Sequence, residues 1–147
     1  MTVFIDTSAL LALIDADEAR HVDARLIWKR LLGSDVPIVT TNYVLVETYA
    51  LTQRRLGSAA VRALTDDLLP VVDVEWIGRE LHEKAVSALI AASRRELSLV
   101  DAVSNEVGHR AMLGRGQLAE FMRLFLRQED LRSHHDAIIT HLGGVMM

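Results

Sequence analysis

Val3-Phe4-Ile5-Asp6-Thr7-Ser8 decides how the rest of the chain is read. Three β-favouring apolar residues stop at a carboxylate, and two small hydroxyl residues follow. A run this short and apolar suits a strand buried on both faces rather than one arm of an exposed hairpin. Two further runs have the same character: Ile38-Val39-Thr40-Thr41 after Pro37, and Val71-Val72-Asp73-Val74 after Pro70. No two-residue turn joins any of them, so each connection is long enough to hold helix.

The connections carry helical periodicity. Val22, Leu26, Ile27 and Leu31 form one stripe that ends before Gly33. Tyr43 to Leu56 is helix-like and stops before Gly57; Ser58 caps a segment running through Leu64 and Leu68 to Pro70. Trp76 to Ile90 repeats the pattern through Leu81, Ala85, Ala88 and Leu89, and Ser98 opens a helix through Val107. Strands alternating with helices at this spacing predict an α/β domain with a mainly parallel sheet and helices on both faces. Gly114-Arg115-Gly116 breaks the last helix, and Leu118, Phe121, Met122, Phe125 and Leu126 mark a further amphipathic one.

The chain has 147 residues, 50% apolar and 24% charged, which is enough for one core and tight for two. The longest apolar run, Ala9 to Ile14, stops at Asp15, far short of a membrane span. The N-terminus lacks a basic segment and a small-residue cleavage site, so a cytoplasmic, soluble protein is expected. With no cysteine, thiolate metal sites and cysteine nucleophiles are excluded. The net charge of −4 argues at first against nucleic acid. It is unevenly distributed: residues 1–106 hold 11 basic and 16 acidic side chains, and the remainder holds 5 and 4 with four of the six histidines.

Three acids stand in apolar surroundings: Asp6 after Val3-Phe4-Ile5, Glu47 within Tyr43 to Leu51, and Asp101 within Leu97 to Val103. A buried carboxylate needs a partner. Ligands of an open α/β sheet bind beyond the carboxyl ends of its strands, where Asp6 is placed by its strand and Glu47 and Asp101 lie within reach. Three converging carboxylates suit Mg²⁺ or Mn²⁺, which supplies an activated water and offsets phosphodiester charge. Purely structural roles compete: Asp6 also fits an N-cap, and Ser98-Leu99-Val100-Asp101 is a capping-box pattern.

Phe4-Ile5-Asp6-Thr7-Ser8-Ala9-Leu10, Val44-Leu45-Val46-Glu47-Thr48 and Leu97-Ser98-Leu99-Val100-Asp101-Ala102-Val103, in this order and spacing, resemble the PIN-domain ribonucleases, especially VapC-type toxins of toxin–antitoxin pairs. The likeness runs from about residue 2 to 106, which makes 1–147 a single PIN-like domain with a divergent tail from 107. It implies a three-layer α/β/α fold with a short, mainly parallel sheet. It also implies metal-dependent RNA cleavage, a homodimer, and an antitoxin partner that blocks the site. Asp6, Glu47 and Asp101 match the family's catalytic, metal-coordinating acids, and Thr7 and Ser8 its hydroxyl positions supporting them.

The tail departs from that pattern. Helix is expected where the family places its last strands, with Glu120 of Leu118-Ala119-Glu120-Phe121 as a candidate fourth acid. An uncovered sheet edge would favour a different packing of the tail or its exchange with a second copy. His134, His135, Asp136 and His141 lack ligand spacing and read as polar surface. A dehalogenase-like phosphatase needs a second aspartate where Ser8 stands, and a phospho-receiver needs a late-strand lysine where the chain has only Lys29 and Lys84. The expected function is a Mg²⁺-dependent endoribonuclease, with Arg54, Arg55, Arg94, Arg95 and Arg115 as candidate phosphate contacts. The alternative is a catalytically impaired PIN-fold module that binds RNA or an antitoxin.

Overall fold

The computed structural model describes residues 2–114 and 122–123, with side chains described through residue 107. Its elements are β1 (Val3–Phe4), α1 (Thr7–Ile14), α2 (His21–Leu32), β2 (Ile38–Thr41), α3 (Asn42–Leu56), α4 (Ser58–Ala63), β3 (Asp73–Glu75), α5 (Arg79–Ala92), α6 (Leu99–Gly114) and β4 (Met122–Arg123). A π-helical turn over Leu64–Leu68 and a 3₁₀ turn over Leu69–Val71 lead into β3.

The sheet order is β3-β2-β1-β4, and every pair is parallel. Because parallel crossovers are right-handed as a rule, the run from β1 to β2 to β3 and the return from β3 to β4 fall on opposite faces of this strand order, which gives three layers. β1 is short because Asp6 leaves it to cap α1, yet the backbone ladder continues: Val3 N–H donates to Pro37 at 2.9 Å and Ile5 N–H to Val39 at 2.9 Å. Thr40, fully buried, adds a side-chain bond to the Ile5 carbonyl at 2.8 Å. Around these strands the core gathers Phe4, Ile5, Leu10, Val44, Leu64 and Val103.

The helices form where the periodicity places them, with three corrections. In α2 the buried face is Ala24, Trp28 and Leu31, while Val22 and Leu26 are 69% and 53% exposed. Trp28 wins that face because it buries the largest apolar area on the helix. The third strand begins at Asp73, not Val71, because Pro70 sits in the first turn of the 3₁₀ segment, for which its fixed φ is pre-set. Trp76 lies in the connection after β3, and α5 starts only at Arg79, behind Gly78.

The C-terminal part of the described chain is dominated by α6, and the residues after Gly114, where the glycines are expected to break it, lie outside the described residues. Of the amphipathic helix expected from Leu118 to Leu126, Met122 is instead in strand β4, paired in parallel with β1 through Val3↔Met122 and Phe4↔Arg123. A short apolar run does not announce its period, and β1's open backbone edge offers it hydrogen bonds. Leu118, Phe121, Phe125 and Leu126 lie outside the described residues. No helix among the described residues is long and apolar enough to cross a membrane.

Candidate functional site

The carboxyl ends of β1, β2 and β3 point the same way, so the residues leaving them share one edge of the sheet. Asp6 leaves β1 as the N-cap of α1. Its Oδ1 accepts from the Ala9 backbone N–H at 3.0 Å and from the Ser8 hydroxyl at 2.8 Å. Thr7 turns to another element: its hydroxyl donates to Glu47 Oε2, 40 residues away, at 2.8 Å.

Glu47 is exposed, which corrects the expectation of a carboxylate buried among apolar neighbours. The inward face of α3 is Val44, Thr48 and Thr52, every fourth residue. Glu47 lies one position off that stripe, so its apolar sequence neighbours are not its spatial ones. Thr7 is thus the observed link between the β1–α1 corner and α3, and the two hydroxyls beside Asp6 each hold one of two acids.

Asp101 behaves differently. Its Oδ2 accepts from the Ser98 hydroxyl at 2.9 Å and the Ser98 backbone N–H at 3.1 Å, while Ser98 Oγ accepts from the Asp101 N–H at 3.1 Å. This is the reciprocal capping box, closing the first turn of α6. A partner three residues away needs little chain ordering, which favours it over a distant one. Among the described residues no group of three or more His, Cys, Asp or Glu is gathered so as to hold a metal ion. The donor chemistry of Asp6, Glu47 and Asp101 suits a hard cation, but this geometry does not assemble them into one ligand set.

A second group secures the exit of β3. The Asn42 side-chain oxygen, at the start of α3, accepts from the Ile77 N–H at 2.8 Å. Tyr43 hydrogen-bonds through its hydroxyl to His82 Nδ1, with ring centroids 5.9 Å apart. Nothing in the sequence marks these residues, because the partners are 35 and 39 positions apart and no motif joins them. On α5 and α6, Lys84 pairs with Glu106 at 2.7 Å. Arg54, Arg55, Arg94 and Arg95 are exposed, and Arg55 lies 3.6 Å from Glu18. Arg115, Glu120 and the tail residues His134, His135, Asp136 and His141 lie outside the described residues.

Residues 3–107 match the family described as PIN domain. The 23S rRNA-specific endonuclease VapC20 of Mycobacterium tuberculosis, in strain CDC 1551 / Oshkosh and in strain ATCC 25618 / H37Rv, is 43% identical over 104 residues. That alignment covers 69% of this chain and 76% of the relative. The crystal structure of M. tuberculosis VapC20, described as a sarcin–ricin loop cleaving toxin, superposes with a TM-score of 0.66 at 36% identity. The superposition covers 75% of this chain and 83% of that one.

Proposed function

This chain belongs to the PIN-domain family, and from that premise we propose that it is a toxin-type PIN module that binds RNA and a cognate antitoxin while its cleavage chemistry is impaired. One observation supports the impairment: Asp101 Oδ2 is engaged by Ser98, and among the described residues no three acids are gathered into one ligand set. The relatives' printed names make structured ribosomal RNA, and the sarcin–ricin loop within it, the first substrate class to offer. A cytoplasmic location, a homodimer and a single domain with a divergent tail complete the reading.

A second reading is favoured by a specific observation. Thr7 and Ser8 hold Glu47 and Asp6 in the manner of supporting hydroxyls, and the matched relatives are named as endonucleases. In that reading Asp6, Glu47 and Asp101 are the metal ligands of a Mg²⁺- or Mn²⁺-dependent endoribonuclease. A divalent ion in such a set supplies an activated water and offsets charge at the phosphate.

The deciding experiment incubates the chain and Asp6→Asn with sarcin–ricin loop RNA and with bulk RNA, in Mg²⁺ and in Mn²⁺, and measures binding to the same RNAs in parallel. Binding with no cleavage above the Asp6→Asn background is the expected result. Cleavage by the unaltered chain that disappears in Asp6→Asn establishes the endoribonuclease. Absence of both binding and cleavage overturns the two readings together.

A further inference from the structure

Trp76 is the other aromatic the strand ends deliver, and neither reading above uses it. The chain has two tryptophans: Trp28 is 8% exposed in the core, whereas Trp76 is 77% exposed. A single exposed apolar side chain is ordinary, so its position must carry the weight. Trp76 is the first residue after β3, directly beyond the Thr41↔Glu75 pair that ends the ladder between β2 and β3. It therefore stands at the same edge of the sheet as Asp6 and Thr7, displaced by two strand spacings, about 10 Å.

The segment that presents it is held in place. Ile77 N–H is bonded to the Asn42 side chain, and Tyr43 reaches His82 on α5, so both flanks of the Trp76–Gly78 connection are tied to the first turn of α3. The same helix carries Glu47, which Thr7 holds. At Gly78 a Cβ would meet nothing within 4 Å, so the connection is open to solvent beside the ring. Asp73 and Glu75, both exposed, lie just before it, and this negative charge disfavours a phosphate contact there. What the position offers is the neutral face of an indole.

Resting on the RNA-binding reading, we propose that Trp76 is a base-stacking residue, receiving an unpaired base of an RNA bound at the carboxyl-end edge of the sheet. Aromatic faces at fixed positions hold splayed-out bases of single strands and loops, and a duplex, whose bases are already stacked, does not use them.

The test measures affinity of the full chain, Trp76→Ala and Trp76→Phe for a fluorescein-labelled single-stranded RNA and for a duplex of the same strand, in EDTA so that no cleavage contributes. Trp76→Ala weakens single-strand binding by about 5- to 150-fold. Trp76→Phe restores most of it, while duplex affinity and thermal melting stay unchanged. Equal single-strand affinity in all three chains overturns the proposal and leaves the RNA-binding reading intact. No RNA binding by the unaltered chain overturns both. Light scattering of the same samples covers the competing occupant. A change of oligomeric state in Trp76→Ala with RNA affinity unchanged overturns the proposal by assigning the ring to an interface between copies.

Discussion

Glu47 on α3 and Asp101 on α6 belong to the same three-acid pattern and are satisfied in opposite ways, while Asp6, which caps α1 with bonds from Ser8 and Ala9, sides with Asp101. At the corner, Glu47 takes its hydrogen bond from Thr7 across 40 residues of sequence. At α6, Asp101 takes its bonds from Ser98 within one turn of helix. The first arrangement exists only because the sheet brings β1 and β2 side by side, so it reports on the fold. The second forms whenever α6 is helical, so it reports on local sequence. Tertiary structure orients Glu47, whereas its own helix orients Asp101, whose Oδ2 is engaged by Ser98.

Core truncation tests how strongly each region depends on the common core. Leu10 on α1 and Val103 on α6 are both fully buried. Leu10→Ala costs about 2–5 kcal/mol, and Val103→Ala, which removes a smaller apolar volume, costs less. Urea denaturation of both variants checks the order. A larger loss at Val103 would make α6, not the β1–α1 corner, the more tightly packed of the two regions.

The capping box gives the next largest effect and the sharpest attack on the contrast. Ser98→Ala removes the hydroxyl that accepts from Asp101 N–H and donates to its carboxylate. The expected loss is about 1 kcal/mol, read from urea denaturation. Mn²⁺ binding followed by calorimetry on the same variant adds a second readout. Tighter Mn²⁺ binding than in the unaltered chain would mean that the cap is what keeps Asp101 from the other acids. Unchanged binding leaves Asp101 a structural residue.

Two smaller effects separate tertiary from local satisfaction elsewhere. On α3, Thr48 bonds its own helix carbonyl at Val44, but the equally buried Thr52 hydroxyl has no partner among the described residues. Replacing an unsatisfied buried hydroxyl by a methyl of the same shape removes a desolvation cost, so Thr52→Val raises the melting temperature, by about 1 kcal/mol of stability. Thr48→Val, which forfeits a bond, does not. Lys84 and Glu106 join α5 to α6 with the lysine half exposed. Lys84→Met costs at most about 0.5 kcal/mol, and the difference shrinks in high salt. A loss that persists in salt would give this ion pair a larger part in docking the two helices.

Much of this architecture is legible in the sequence. Short apolar runs between helical patterns are what a parallel sheet covered on both faces demands, and Val3, Ile38 and the segment after Pro70 do lead into β1, β2 and β3. Gly33 and Gly57 mark helix ends as the sequence predicts, and Gly57 has the positive φ of 84° that favours glycine there. The site was legible in part. Thr7 and Ser8 stand beside Asp6 in sequence, and they donate to Glu47 and Asp6 respectively. Glu47's exposure was hidden because sequence neighbours on a helix face different directions. The inward face of α2 is not legible in the sequence, because a stripe of Val22 and Leu26 competes with one of Ala24 and Trp28, and packing against α1 and the core selects between them.

By itself the sequence determined the alternation of strands and helices, the placement of Asp6 at a strand end, and the capping box of Ser98 and Asp101. All of these rest on periodicity or on partners a few residues apart. Only the tertiary structure decided that Thr7 meets Glu47, that Asn42 and Tyr43 secure the exit of β3, and that Trp76 stands exposed on that edge. Those contacts join residues 35 to 40 positions apart, which chain-local physics leaves free until the parallel sheet pairs β1 with β2 and β2 with β3.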